Sequence, residues 1–175
     1  MTRDSEPGLL GAVSRSCSAV HLQRQLPAPP ERVWAAWTDP ERLGRWLAPV
    51  EHGAPGPGAT FVLRMAPMQT ATCTVTRWEP PRLLELVWDY TGEGPSRLRL
   101  ELSGIDGGTR LALKHDQLEQ TDDPMDYGAG WHAHLETLSA DLTGEPPPVF
   151  DDIFPQLHAA YAAQDATGQQ EVRKL

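Results

Sequence analysis

Two cysteines, Cys17 and Cys73, are all that the 175 residues contain. That is too few for a disulfide framework, and their wide separation gives no zinc-binding pair. Positive charge is also scarce: 15 Lys and Arg stand against 24 Asp and Glu, for a net charge of −9. A chain this acidic has no basic stripe for a nucleic-acid backbone and no polybasic segment for an anionic membrane. No apolar run approaches the ~20 residues of a membrane span. Residues 1–16 include Asp4, Glu6 and Pro7 and no continuous apolar stretch, so no secretory leader is expected. Phosphate-cradling glycine loops, nucleophile elbows and metal-ligand spacings are missing as well. His132 and His134 are two residues apart, which on a helix points them about 200° from each other. The expectation is a cytoplasmic protein, monomer or homodimer, with no metal, cofactor, nucleic-acid or membrane partner.

What the chain does have is punctuation. Fifteen glycines and 17 prolines fall between periodic segments rather than in one linker. With 39% apolar and 22% charged residues, the composition is that of one globular domain. Ala19–Leu26 alternates, Val20, Leu22 and Leu26 opposing His21, Gln23 and Gln25, as a half-buried strand does. Arg24 interrupts its apolar face. A helix is expected after Pro27–Pro30, carrying Val33, Trp34 and Trp37. A second opens at Pro40 behind Thr38 or Asp39, with Leu43, Trp46 and Leu47 as its stripe.

From Gly53 to His115 the period becomes two. Phe61/Leu63/Met65, Leu84/Leu86/Trp88, Leu98/Leu100/Leu102 and Leu111/Leu113/His115 each mark one face of a strand, and the short connections suit an antiparallel meander. Thr70–Trp78 is ambiguous: Ala71, Cys73 and Val75 share one face, the threonines and Trp78 the other. Cys73 reads as a small buried hydrophobe.

A long helix is expected over Tyr127–Leu142, with Trp131, Leu135, Leu138 and Leu142 as a single apolar stripe and Gly144 as its C-terminal stop. Asp122–Asp123 and Asp151–Asp152 read as helix caps. Phe154, Leu157 and Tyr161 mark a shorter helix, expected against the outside of the sheet, the two short helices, or a second subunit. The fold class that buries these faces is α+β, a curved antiparallel sheet wrapped around the long C-terminal helix, with two short helices between the first and second strands. Residues 1–17 and 165–175 read as flexible ends, 18–144 as the domain, and 145–164 as an extension with a short helix.

Three motifs carry a resemblance: APPERVWAAWTDPERLGRWLAP within Pro27–Pro49, EPPRLLELVW at Glu79–Trp88 and GWHAHLETLSADLTG at Gly130–Gly144. Their order resembles the SRPBCC (START-like) superfamily, and within it the activator of heat-shock protein 90 ATPase homologue-like family. The resemblance spans about Val20 to Leu142. It implies the helix-grip fold. It is strongest for small bacterial-type relatives in which that fold encloses a pocket for an apolar ligand.

Such a pocket would be walled by Leu63, Met65, Leu86, Trp88, Leu100, Leu113, Trp131 and Leu135, with Trp88 and Trp131 facing each other. Its polar handles would be Arg24, His115 and Tyr127. Arg24 answers either an anionic ligand group or a carboxylate of the protein, and His115 is either a ligand contact or a histidine satisfied at a strand end. His134 lies on the same flank of the helix as Tyr127 and reads as an edge residue facing solvent, with reach to a cavity mouth as the alternative. The expected function is binding of an apolar or aromatic molecule, with no catalytic residue assigned. The alternatives are a cavity-based cyclase, dehydratase or hydrolase with His115 as base, or a chaperone-associated interaction module.

Overall fold

The computed structural model describes residues 11–14, 18–119 and 122–172; Cys17 lies outside them. Eight strands form one sheet: β1 (Ala12–Ser14), β2 (Ala19–Leu26), β3 (Val50–His52), β4 (Thr60–Ala66), β5 (Gln69–Glu79), β6 (Leu83–Tyr90), β7 (Pro95–Ile105) and β8 (Gly108–Asp116). Their spatial order is β1-β2-β8-β7-β6-β5-β4-β3, and each neighbouring pair is antiparallel. The short helices α1 (Pro30–Thr38) and α2 (Pro40–Trp46) connect β2 to β3, and α3 (Pro124–Thr143) and α4 (Phe150–Val172) follow β8. The two three-residue strands, β1 and β3, are too short to show alternation and were not expected. No helix among the described residues is long and apolar enough to cross a membrane.

Register follows from the period-two pattern. Leu84 pairs with Leu100, Leu86 with Leu98, and Leu100 with Leu113, so their side chains fall on one face, and all are buried. Trp131, Leu135, Leu138 and Leu142 of α3 complete that core. This is the helix-grip arrangement. In β5 the register shifts between Val75 and Arg77. Ala71, Cys73 and Val75 point inward, and the extra residue of the bulge then returns Trp78 to the core side. The inward face is therefore Ala71, Cys73 and Val75, with Trp78 joining it after the bulge while the threonines stay on the outer side. Trp78 packs edge-on against Trp34, ring centroids 5.1 Å apart.

Helix limits follow their caps. Asp39 accepts from the Arg42 backbone N–H at 3.1 Å, with Pro40 opening α2. Asp123 accepts from Met125 N–H at 3.0 Å and Gly144 closes α3 at φ 77°. Helix α3 begins one turn before the expected Tyr127, because Pro124 starts the helix instead of blocking it.

Three expectations are corrected here. Helix α3 has two apolar faces, not one. The second, made of Met125, Ala129 and Ala133, forms a separate core with Leu157 and Tyr161 of α4. The C-terminal helix therefore packs on the back of α3, where the three expected locations did not place it. It also runs to Val172, through the segment read as a polar tail.

Candidate functional site

A cavity of about 380 Å³ opens between the β4–β6 end of the sheet, α3 and the first turns of α4. The sheet contributes Met65, Trp88 and Tyr90, and α3 contributes Tyr127, Gly130, Trp131 and His134. Trp88 and Trp131 face each other as expected, edge to face, with centroids 5.4 Å apart at 63°. Phe150 and Phe154, one turn apart on α4, stack at 5.3 Å, and Phe150 lies 5.0 Å from the His134 ring. The walls are thus mostly aromatic.

Polar groups on the wall are few and mostly committed. The Tyr127 hydroxyl donates to Glu93, which sits in the β6–β7 turn, and Tyr90 donates to the Gln69 carboxamide oxygen at 2.8 Å. Burial pushes the Tyr127 phenol well above its usual range, and the hydrogen bond to Glu93 adds to this. Burial also raises the Glu93 carboxyl, with nearby Asp122 and Asp126 adding to the rise and Tyr127 opposing it. His134 Nδ1 lies 3.2 Å from the Trp46 carbonyl. A carbonyl only accepts, so Nδ1 carries the proton and Nε2 is left as an acceptor. Burial lowers the pKa of His134 and favours that neutral ring. The expectation of a solvent-facing His134 is corrected: it walls the cavity.

His115 is not on the wall. It lies fully buried behind Trp131 and Tyr127. Trp131 donates its indole N–H to Nδ1 at 2.9 Å, and Nε2 pairs with the Ser96 hydroxyl at 2.7 Å, which in turn reaches the Trp88 carbonyl at 3.1 Å. Both ring nitrogens are used, and burial pushes its pKa down to about 3. The role of ligand handle or base therefore falls away; the histidine satisfied at a strand end is what the structure contains.

Arg24 is corrected in the same way. Its guanidinium lies on another side of α3 from the cavity, with Nε 3.5 Å from Glu136 and Nη1 donating to the Gln23 carbonyl at 2.9 Å. The carboxylate that answers it stands on a helix, where inspection of the strands alone could not find it. His132 and, more weakly, Arg24 hold the Glu136 carboxyl below its usual range.

Of the residues singled out from sequence, Met65, Trp88, Tyr127 and Trp131 wall the cavity. Leu63 and Leu86 lie deeper, around a void of about 10 Å³ that also touches Trp88. Leu100, Leu113 and Leu135 are fully packed core. The sequence reading missed Leu47, Gln69, Tyr90, Glu93, Asp126, Gly130, Phe150 and Phe154, and left His134 out of the site. Tyr90 could have been found, because it continues the Leu84/Leu86/Trp88 alternation. Glu93 carried no signal, since it stands in a turn.

One cluster of metal-type donors exists among the described residues: Asp123, Asp126 and His158, whose ligating atoms lie within 4.8 Å of one another. Asp126 Oδ1 lies 3.2 Å from His158 Nε2, and Asp123 accepts from the Met125 N–H as the cap of α3.

Comparison with known proteins follows the same lines. A search of curated proteins found no match. Among solved structures, a Bordetella parapertussis protein determined by NMR is 36% identical, covering 93% of this chain and 94% of that one, with a TM-score of 0.67. CalU16 from Micromonospora echinospora is 31% identical in its crystal structure, covering 83% and 86%, also with a TM-score of 0.67. DynU16, from the dynemicin biosynthetic locus, shares the fold at 23% identity and a TM-score of 0.67, covering 76% of this chain and 50% of its own. The family model described as "Activator of Hsp90 ATPase homolog 1-like protein" matches residues 27–143, a span that holds the sheet from β3 to β8 and the α3 wall of the cavity, and the chain belongs to that family.

Proposed function

We propose that this protein binds a small apolar or aromatic molecule in the cavity between the sheet, α3 and α4. The observation that carries this reading is Gly130. A glycine inside a helix costs roughly 0.5–1 kcal/mol relative to alanine. Elsewhere in α3 such a glycine has a packing reason: a methyl group on Gly128 would lie 2.6 Å from Val13 Cγ2. A methyl on Gly130 would meet nothing within 4 Å, so no neighbour requires the missing side chain. What it leaves is open space, in the wall of a cavity large enough for a drug-sized molecule.

The aromatic walls supply the remaining support, since Trp88, Trp131 and Tyr127 offer flat apolar area with few polar demands. The biosynthetic-locus origin of DynU16 is in keeping with a small organic ligand. The enzymatic alternative relied on His115, whose ring nitrogens are both hydrogen-bonded behind the wall. Binding is therefore the reading we adopt.

The test uses N-phenyl-1-naphthylamine, whose fluorescence rises on entering an apolar site. Saturable binding at one site per chain is expected for the wild type, and its loss in Gly130→Phe, a substitution that fills the cavity from the helix side. Circular dichroism checks that the variant is folded. Equal binding by a folded Gly130→Phe would sink the assignment of this cavity.

A further inference from the structure

The same cavity carries a charge preference opposite to the one Arg24 would have given. No Lys or Arg lines it, whereas Glu93 and Asp126 both do. Most hydrogen-bond donors on its wall are already spent: Tyr127 on Glu93, Tyr90 on Gln69, the Trp131 indole on His115, and His134 Nδ1 on the Trp46 carbonyl. The Trp88 indole N–H has no partner, but its nitrogen is buried out of reach of the open space, and the Gln69 amide stands at the exposed rim. Acceptors remain. The Glu93 carboxylate has lone pairs beyond the one that Tyr127 fills, and His134 has Nε2. Asp126 is shared with His158 across 3.2 Å, and the Asp122 carboxylate acts on Glu93 from the segment before α3.

Resting on the binding reading above, we infer that the ligand is an amine: an apolar, ring-containing body against Trp88 and Trp131, and an ammonium group on the Glu93–Asp126 side of the cavity. Three features converge on this chemistry. A partly buried carboxylate whose hydrogen-bond partner is a neutral phenol has unanswered charge, and a cation there forms a charge-assisted hydrogen bond. The Tyr90, Tyr127 and Trp88 side chains line the same volume, and aromatic rings within reach of a cation favour it further. An anionic ligand would instead meet two carboxylates with no cation on the wall, an uncompensated repulsion in a partly desolvated site.

Three probes with one ring system and different heads separate the possibilities: 2-(1-naphthyl)ethylamine, 2-(1-naphthyl)ethanol and 1-naphthylacetic acid, each titrated by calorimetry at pH 7. The amine is expected to bind about tenfold more tightly than the alcohol, and the acid most weakly. Raising the salt from low to high ionic strength should weaken the amine and leave the alcohol unmoved. In Glu93→Gln the amine's advantage should shrink to about threefold or less, while Tyr127→Phe, which frees the carboxylate, should preserve it. An alcohol that binds as tightly as the amine, or an acid that binds more tightly, overturns the amine inference and leaves the cavity reading standing. Failure of all three to bind the wild type overturns both. Because the salt comparison uses only the wild type, the inference stays testable even if a variant does not fold.

Discussion

The Trp131 indole N–H donates to His115 Nδ1 across 2.9 Å, and this bond fixes the imidazole in the state that carries its proton on Nε2, toward Ser96. A second proton would have to displace the indole. Buried and without room for charge, His115 has its pKa lowered from 6.5 to about 3. The unfolded chain therefore binds a proton that the folded chain refuses. A group of this kind supports the fold fully above the unfolded value, and that support drains away as the pH falls toward the folded one. Urea unfolding should show stability level between pH 7 and 8 and falling below pH 6, by at most about 1.4 kcal/mol per pH unit from this residue. His134 acts in the same direction, so the diagnostic measurement is a difference: His115→Gln should give a shallower decline between pH 6 and 4. Identical slopes would mean that His115 titrates normally.

Arg24 and Glu136 form a pair linking β2 to α3, away from the cavity. Arg24→Met should cost about 1 kcal/mol in urea unfolding, the range for a pair with one partner still partly exposed. Probe affinity should stay within about twofold of wild type. A selective loss of probe binding would return Arg24 to the ligand.

How much of this was legible in the sequence depended on the size and spacing of side chains. Strand β2 was readable to the residue because Val20, Leu22 and Leu26 alternate with polar neighbours. Strand β5 was not, because the bulge after Val75 changes which parity is buried. The second face of α3 was hidden by its own composition: Ala129 and Ala133 are too small to register as a stripe, yet they let Tyr161 and Leu157 approach. The site was half legible for the same reason. Trp88 and Trp131 announce themselves by size, whereas Glu93 in a turn and Gly130, which acts through what it lacks, do not. Arg24 and His115 were conspicuous as polar residues on apolar faces, and that signal marked satisfied structural pairs.

Helix α4 should be needed for both stability and binding. Its Leu157 and Tyr161 are buried against Met125, Ala129 and Ala133, and the Tyr161 hydroxyl accepts from Gly11 N–H and pairs with His132 Nδ1, both at 3.0 Å. Phe150 and Phe154 wall the cavity. Removing the residues after Pro148 should lower Tm by at least about 5 °C, since losing even two large buried side chains costs several kcal/mol. It should also weaken the fluorescent probe. An unchanged melting curve would show that the second core contributes nothing.

Cys73 has no exposed surface, and burial raises its thiol pKa well above the usual value. A thiol alkylates as the thiolate, so iodoacetamide at pH 8 should leave Cys73 unmodified in the native protein and label it fully in urea. Peptide mapping reads Cys73 independently of Cys17. Rapid native labelling of Cys73 would show that the β4–β5–β6 region opens far more often than its packing implies.

Gly128 and Gly130, two residues apart on α3, should respond to alanine with opposite signs. Both occupy a helix interior, where replacing glycine by alanine gains roughly 0.5–1 kcal/mol when nothing obstructs the methyl group. At Gly130 nothing does, so Gly130→Ala should raise Tm by about 2–4 °C while narrowing the cavity and weakening probe binding. At Gly128 the methyl would lie 2.6 Å from Val13 Cγ2, with Tyr161 ring carbons next at 3.7 Å. The branched valine has little freedom to turn aside. Gly128→Ala must therefore push Val13 and β1 outward, and overpacking of this kind costs typically about 1–3 kcal/mol, more than the helix gains. Melting curves of the two variants, with the probe titrated into each, measure both effects. If Gly130→Ala proved destabilising, the space beside it would be closed by something other than a ligand; if Gly128→Ala proved neutral, the contact between β1 and the second core would be looser than its distances imply.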